Sequence, residues 1–587
     1  MRKLYIAICI LTLVGCHSVK KSLTVFDMVH HNPGEAEFET SYNTPEKYIQ
    51  YGYTGKVFHL FDAAQYGISF ELYDKSLYAD SDEDKKWIVR KAESISKKYK
   101  EFSKAGLEVY CMMDMIVLPK KLVQKYKTEI CDGRGKIDIH RPKTQEIIRA
   151  LINEIFIKFP ELSGLVIRTG ETYLNDTPFH QGNNPIFNKT HSHIELINLL
   201  RDEVCVKRNK KLYYRTWDTD YFHALPKYYL TVTDSVEPHK NLYFSIKHTM
   251  VDYWRSAPVN WNEHQLDNMQ KYWIDEASMH GIPFNPCIGK GKHKQIVEIQ
   301  CQREYEGKSA HPNYIANGVI NRFTELKGLP GPQCLNDVVN NPNFTGIWTW
   351  SRGGGWGGPY IKNDLWNDAN TYVLANWAKN PKRPESKIFH DFAATKGLAD
   401  DDIEKLHQIC LLSSEGILHS QYSVYGDVMV VWTRDQGMGG SGALHATLDS
   451  IYANNAIDKY LAEKKEGTAI WKNIEELGRS IKTGDMATRN FIATSCTYGR
   501  IKFEIFEMGW IVMLKGYAGD KTGVYDFKAM SDAIKRYDAL WAEWRELEKR
   551  PECPSIYKTG SGGDLGATID SYRTKCIDAG FNELRNK

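Results

Sequence analysis

The chain has 587 residues, of which 42% are hydrophobic and 12% aromatic, and its formal net charge is +3 at pH 7. Because a single hydrophobic core stops growing near ~250–300 residues, this length predicts more than one domain. The near balance of acidic and basic residues argues against a nucleic-acid-binding protein, in which Lys and Arg cluster. The 15 Trp and 34 Tyr are a mild indication of a carbohydrate site, because sugar rings stack on such side chains.

The N-terminus has the features of a bacterial export signal. Arg2 and Lys3 precede a short apolar stretch, and the tetrapeptide Leu-Val-Gly-Cys follows at residues 13–16. This tetrapeptide resembles the lipobox of bacterial lipoproteins, which implies that Cys16 is lipidated. We therefore expect residues 1–16 to be a signal peptide that takes no part in the fold. We also expect a lipid anchor in a bacterial membrane, with the protein on the periplasmic face of the outer membrane.

The remaining ten cysteines are scattered along the chain. They form no C-x-x-C pair, and no Cys/His spacing typical of a metal site is present. We therefore expect neither a metal site nor a cofactor. One or two disulfides are compatible with an oxidising compartment, but their pairing is left open.

Eight short apolar stretches alternate with amphipathic helices over residues 23–358. The predicted strands are residues 23–30, 56–61, 107–115, 164–169, 211–217, 242–249, 295–302 and 346–351. The clearest helix is 142–158, because Pro142 lies in its first turn and apolar residues recur with helical spacing. Eight such β/α alternations predict a (β/α)8 TIM barrel.

Beyond residue 358 the sequence is mostly helical in pattern. We predict a C-terminal helical domain over residues 359–587, and pairing of two copies through this domain is a hypothesis. Gly437, Gly439 and Gly442 have G-x-G-x-x-G spacing, but a single long helical pattern follows them. A dinucleotide-binding site requires a returning strand. The sequence therefore does not predict one here.

Charged residues gather where the middle strands of the predicted barrel end. They are Arg168 and Glu171 after strand four, Arg215 at strand five, Lys247 and Asp252 at strand six, and Glu304 after strand seven. The active sites of such barrels lie at the C-terminal ends of the strands. A structural ion pair explains any single residue equally well. Three cations and three acids on one rim are costly to bury without a function.

This arrangement of charges suits the hydrolysis of a glycosidic bond with inversion. One carboxylic acid protonates the leaving oxygen, and a base ~6.5–9.5 Å away activates water on the opposite face. Acids on opposite sides of a barrel mouth match that separation. Two arginines and a lysine exceed what a neutral sugar needs, and they indicate a carboxylate on the substrate.

Several stretches resemble glycoside hydrolase family 67, the inverting α-glucuronidases that remove (4-O-methyl)glucuronic acid from xylan. GLVIRTGE is similar to the family's V-K-A-x-S-E, SIKHTMVDYW to Q-I-K-x-G-P-I-D-F-Q, YYRTW to W-R-x-F-V, and VEIQCQREYEG to L-E-F-Q-I-T-Q-E-Y-L-G. The resemblance implies that Glu171 is the general acid. It implies that Asp252 and Glu304 activate water. Arg215 and Lys247 would bind the uronate, with Arg168 in place of a family lysine.

Other features separate the chain from that family. Its N-terminal β domain is missing, and the loops after Glu171 and Asp252 differ, so the resemblance implies a uronic acid without assuring glucuronoxylan. Further predicted substrate contacts near the strand ends are His248, Trp254 and Trp350. Core packing explains each tryptophan equally well. A non-catalytic glycan-binding lipoprotein and a uronide lyase remain open as alternatives.

Overall fold

The computed structural model describes most of the chain after the predicted signal. The described residues are 23–30, 40–174, 177–217, 222–249, 284–329, 331–353, 357–425, 431–432, 437–440, 444–558 and 565–585. They form a closed barrel of eight parallel strands with helices around it, followed by a helical C-terminal region. The predicted fold class is therefore confirmed.

Eight strands form the barrel in chain order. They are Thr24–Val29 (β1), Gly55–Phe58 (β2), Glu108–Asp114 (β3), Leu162–Arg168 (β4), Lys211–Arg215 (β5), Leu242–Lys247 (β6), Lys294–Gln300 (β7) and Phe344–Arg352 (β8). Each strand pairs in parallel with the next, and β8 closes the barrel against β1. Each strand overlaps one of the stretches predicted from the sequence, with bounds that differ by at most three residues.

Helices pack around the outside of the barrel. Those described between β1 and β8 are Pro45–Tyr51, Glu83–Lys104, Lys120–Lys125, Lys127–Ile130, Pro142–Lys158, Lys189–Leu200, Pro226–Asp234, Ala316–Asn321 and Leu335–Val338. The predicted helix 142–158 is confirmed, with Pro142 as its first residue. Its apolar stripe is buried because it faces the strands, and it includes Ile148, Leu151 and Ile155.

The side chains that point into the barrel form an aromatic floor below a charged upper layer. Phe26, Tyr110 and Tyr213 make the floor, with ring centroids 4.6, 5.2 and 5.3 Å apart. Because side chains alternate between the two faces of a strand, the residues two or four positions further along also point inward. Those positions at the C-terminal ends hold Asp114, Arg168, Arg215, Lys247 and Glu298.

A set of helices follows the barrel. They are Leu365–Lys379, Glu385–Ala394, Asp400–Gln421, Leu444–Ala453, Ile457–Ser480, Met486–Thr522, Phe527–Glu548 and Leu565–Asp578. The first of them packs against β1 and β8, where the eighth helix of such a barrel belongs. We therefore propose that the barrel unit extends to about residue 380. Among the described residues, no helix combines the length and apolarity required to cross a bilayer.

Two smaller sequence features also have a defined structure. Val431–Trp432 pairs antiparallel with Gly439–Gly440, and a helix begins soon afterwards at Leu444. This hairpin differs from the parallel βαβ unit of a dinucleotide site. The ten cysteines between Cys111 and Cys576 are buried free thiols.

Candidate functional site

The structure brings most of the predicted site residues to one end of the barrel. Arg168, Arg215 and Lys247 are the last residues of β4, β5 and β6, Trp350 lies near the end of β8, and Glu171, His248 and Glu304 follow β4, β6 and β7. These are the C-terminal ends of parallel strands, so the residues lie around one mouth of the barrel. Cys16, Asp252 and Trp254 lie outside the described residues.

Arg168 and Glu171 form an ion pair at the mouth. Nη2 of Arg168 donates to Oε2 of Glu171 at 2.8 Å, and the hydroxyl of Tyr173 donates to the same oxygen at 3.1 Å. Arg168 is buried, whereas the Glu171 side chain remains 46% exposed. The structure therefore presents an accessible carboxylate on a fixed, buried guanidinium. The Tyr173 ring supports that guanidinium from one face, with 4.0 Å between the ring centroid and Cζ of Arg168.

Asp114 of β3 is a second carboxylate beside Arg168. Its Oδ1 lies 3.7 Å from Nη1 of Arg168, and its Oδ2 accepts the backbone N–H of Tyr173 at 3.1 Å. Burial raises the pKa of Asp114 to about 6, although the positive charge of Arg168 opposes that rise. Asp114 therefore changes charge in a weakly acidic range, next to the proposed acid.

Arg215 is held by a partner that the sequence analysis missed. Its Nε and Nη2 donate to the two carboxylate oxygens of Glu298 at 2.9 and 2.6 Å. The hydroxyl of Ser245 on β6 also donates to Glu298, at 3.2 Å. The guanidinium is thus oriented inside the barrel before any substrate arrives. Glu298 lies within an apolar strand, and nothing in the sequence around it predicts an ion pair with Arg215.

Lys247 lies among aromatic rings at the mouth. Its Nζ is 3.7 Å from the centroid of the Trp217 ring and 5.3 Å from that of Trp350. An ammonium so close to aromatic faces gains a cation–π interaction and is positioned by it. Trp217 and Trp350 therefore belong to the mouth. Their described role is to position a cation, and stacking on a sugar stays a prediction.

His248 has surroundings that favour a structural role. It follows the inward-pointing Lys247, so its side chain leaves β6 on the other face. Its backbone N–H donates to the carbonyl oxygen of Glu298 at 3.0 Å, and its own carbonyl oxygen accepts from Asn285 at 2.8 Å. Burial lowers the pKa of His248 to about 3, so the imidazole is neutral at physiological pH.

Glu304 lies in a loop whose backbone is held in an unusual shape. Arg303, Lys308 and Ser309 all adopt positive φ angles, of 55°, 49° and 62°. Such backbone costs free energy in residues other than glycine and is found mainly at functional sites. The loop is fastened by the buried Arg303–Glu306 ion pair, in which Nε lies 3.1 Å from Oε2.

The helical region also supports this loop. The side-chain amide of Gln421, at the end of helix 400–421, donates to the carbonyl oxygen of Tyr305 at 2.7 Å. The hydroxyl of Tyr422 donates to Glu306. Glu304 is therefore positioned by contacts from outside the barrel, which no pattern within residues 295–310 predicts.

Gln300 is a further candidate that the sequence analysis missed. It ends β7 two residues beyond Glu298, and this spacing directs its side chain into the mouth. Its amide nitrogen and oxygen are both buried, and neither has a hydrogen-bond partner among the described residues. A buried amide of this kind suits the donor and acceptor pattern of sugar hydroxyls.

No protein-family model matches the chain, and no curated protein is similar to it in sequence. Among solved structures, a mutant O-GlcNAc hydrolase from Thermobaculum terrenum is similar over 96% of this chain and 95% of that one, at 8% identity and a TM-score of 0.35. A GH20 exo-β-N-acetylglucosaminidase from Vibrio harveyi is similar over 64% of this chain and 58% of that one, at 10% identity and a TM-score of 0.32. A maltogenic α-amylase from Thermotoga neapolitana is similar over 61% and 77%, at 9% identity and a TM-score of 0.30. Similarity at this level indicates neither substrate nor mechanism.

Proposed function

We propose that the protein is a glycoside hydrolase that releases a terminal uronic acid from an oligo- or polysaccharide with inversion. The first candidate for the released sugar is α-linked glucuronic acid or its 4-O-methyl ether. One observation carries the proposal. The inward layer at the barrel mouth contains Arg168, Arg215 and Lys247, and the accessible carboxylate of Glu171 lies 2.8 Å from Arg168.

The cations account for an anionic sugar. A substrate carboxylate that enters the mouth competes with Glu171 for the Arg168 guanidinium, because a guanidinium binds carboxylates through parallel hydrogen bonds. Displacement from Arg168 would free the carboxyl group of Glu171 to face the glycosidic oxygen, as a general acid must. Binding of the uronate is thereby coupled to activation of Glu171 as the general acid.

The remaining chemistry requires a base on the other side of the sugar. β7 lies three strands from β4 around the barrel. We propose that Glu304, in the loop after β7, approaches a bound sugar from the side away from Glu171. Inversion calls for that placement, with room for a water between base and anomeric carbon. We assign the activation of water to Glu304 together with Asp252.

The setting of the enzyme is part of the proposal. A lipid on Cys16 would hold the barrel at a bacterial membrane, on the periplasmic face of the outer membrane. Glycan fragments that carry uronic acids would then be its substrates, and no nucleic acid is involved. Pairing of two copies through the helical region is proposed as well.

A lyase is disfavoured by one observation at the mouth. A uronide lyase needs a base, often Tyr or His, that removes a proton next to the sugar carboxylate. Tyr173 is the tyrosine in contact with Arg168, but burial raises its pKa to about 12. The deprotonated form that such a step requires is therefore rarer for Tyr173 than for an ordinary tyrosine.

A screen of uronic-acid-capped oligosaccharides tests the proposal, scored for release of free uronic acid. We expect release by the wild type and a loss of at least ~100-fold in kcat for Glu171→Gln, which keeps the shape of the side chain but cannot donate the proton. NMR of the first product identifies the anomer. A retained anomer or an unsaturated product would overturn the assignment. Binding without any turnover would identify a glycan-binding protein instead.

A further inference from the structure

Two histidines and a glutamate meet on the outer side of the barrel. His140 lies in the turn before helix 142–158, and His191 and Glu195 lie one turn apart on helix 189–200. One ligand atom from each lies within 4.8 Å of the others. Neither the sequence analysis nor the proposed catalysis uses these residues.

We propose that His140, His191 and Glu195 bind a divalent transition-metal ion, with Zn²⁺ as the type. Two imidazoles and one carboxylate are a recurrent protein ligand set for Zn²⁺. The donor atoms are Nδ1 of His140, Nε2 of His191 and Oε2 of Glu195. Oε2 of Glu195 contacts Nδ1 of His140 and lies 3.7 Å from Nε2 of His191.

The site closes around an ion with a small movement. Bonds of ~2.0–2.1 Å place the ligand atoms of a tetrahedral zinc about 3.3 Å apart. The widest separation within the cluster is at most 4.8 Å, so the ligands must approach by about 1.5 Å. The side chain of His191 is 64% exposed and can turn inward to supply that movement. Its exposure also leaves a fourth coordination position open to water.

Two neighbouring side chains orient the ligands. Oγ of Ser192 lies 2.9 Å from Nε2 of His140 and also accepts the backbone N–H groups of Phe187 and Asn188 at 3.3 and 2.9 Å, so it fixes the orientation of the imidazole ring. The side-chain amide of Gln145 donates to Oε1 of Glu195, so Oε2 is directed toward the two histidines. Metal-bound histidines and carboxylates in proteins usually have such partners. Their presence distinguishes this cluster from a chance meeting of surface side chains.

The position of the ion gives it a structural role. It would join the 137–140 segment to helix 189–200. Asn183 binds the backbone N–H of Ile137 at 2.9 Å, and the next residue, Asn184, exchanges two hydrogen bonds with Gly170 at 3.2 and 3.3 Å. Gly170 immediately precedes Glu171. The ion would therefore stabilise the segments that support the exposed carboxylate at the mouth, without touching substrate.

Titration of the chelator-treated full chain with ZnCl2, followed by isothermal calorimetry and by metal analysis after dialysis, tests the site. We expect one Zn²⁺ per chain. Affinity should fall by at least ~100-fold in His191→Ala and in Glu195→Gln, and by about 10- to 100-fold in Gln145→Ala, the range for loss of a partner behind a ligand. Because His191 is exposed, its replacement should leave the fold intact, which circular dichroism checks.

His390→Ala is the matched control. His390 is half exposed and pairs with Asp400 at 3.2 Å on the helical region, but no third ligand among the described residues completes that pair. Its replacement should leave Zn²⁺ affinity unchanged. Excess Zn²⁺ should raise the melting temperature of the wild type and of His390→Ala but not of His191→Ala, because only an ion bound to the folded state stabilises it.

Three results would overturn the proposal. The first is that the wild type binds no stoichiometric Zn²⁺. The second is that His191→Ala and Glu195→Gln keep full affinity for Zn²⁺. The third is that Ca²⁺, which prefers an all-oxygen site, binds as tightly as Zn²⁺. These measurements need no substrate. Glu171→Gln should bind Zn²⁺ like the wild type, so failure of the metal site and failure of the proposed hydrolysis are distinguishable.

Discussion

Arg215 on β5 and Glu298 on β7 form a two-point ion pair inside the barrel, across the intervening strand β6. The two bonds measure 2.9 and 2.6 Å, and both side chains are 2% exposed or less. A guanidinium held in this way cannot turn away from the mouth. Glu298 offsets the charge of Arg215 in the free protein and accepts from its Nε and Nη2, while Nη1 lies 3.6 Å from Sδ of Met112, so Arg215 is a rigid part of the inward layer.

Breaking this pair from one side should be costly. In Glu298→Gln, the guanidinium of Arg215 stays buried without its counter-charge, and we expect the free energy of unfolding to fall by about 3–5 kcal/mol. Urea denaturation at pH 7 measures the change. Glu108→Gln is the control, because Glu108 pairs with Lys211 at 2.5 Å on a partly exposed surface. That change should cost less than ~1 kcal/mol, and equal losses in the two variants would contradict the prediction.

Asp114 should make stability depend on pH. Its folded-state pKa of about 6 exceeds the ordinary aspartate value of 3.8, which applies to the unfolded chain. Between these values the unfolded chain loses the proton while the folded chain keeps it, so the wild type loses stability as pH rises from 4 to 6. A shift of this size corresponds to about 3 kcal/mol.

Asp114→Asn removes this contribution. Denaturant titrations of wild type and Asp114→Asn at pH 4.5 and pH 7 should therefore show the wild type weakening relative to the variant at the higher pH. A difference that stays constant between the two pH values would show that Asp114 titrates normally.

Lys247 should contribute to binding of the sugar acid more than to catalysis. In a Glu171→Gln background that prevents turnover, Lys247→Met should weaken binding of a uronide by about 10- to 100-fold, as expected for one charge-assisted hydrogen bond of ~1.5–3 kcal/mol. Calorimetry measures the dissociation constant. The methyl ester of the same sugar provides the control, since it lacks the negative charge and should bind both proteins equally. An equal loss with the ester would mean that Lys247 acts only by packing on Trp217.

Gln421 should act as a positioning residue for the loop that carries Glu304. Gln421→Ala removes the 2.7 Å hydrogen bond to the carbonyl oxygen of Tyr305, and we expect kcat to fall by about 10-fold with little change in KM. Gln408→Ala, on an exposed position of the same helix, should leave both constants unchanged. A rise in KM without a change in kcat would assign Gln421 to substrate binding instead.

Local patterns predicted the barrel because each of its elements has a local signature. Short apolar stretches between amphipathic helices indicated β1 to β8. Apolar residues at helical spacing indicated the buried face of helix 142–158. Arg168 and Glu171 were also predicted together, since they are only three positions apart along the chain, and an ion pair joins them in the structure. The barrel rule then placed Arg215, Lys247 and Glu304 at the same mouth, because parallel strands end on one side.

Only the tertiary structure decided which of these charges meet. In the sequence, Glu298 is a single charged residue within an apolar strand. It pairs with Arg215 because the folded barrel places β5 and β7 on either side of β6. Gln421 contacts Tyr305, and His140 contacts Glu195, because packing outside the barrel strands brings segments that are distant in sequence together. The sequence alone determined the elements and the face on which the chemistry lies, because periodicity and strand direction are local. The pairs within that face depend on contacts between distant segments, which form only when the chain has folded.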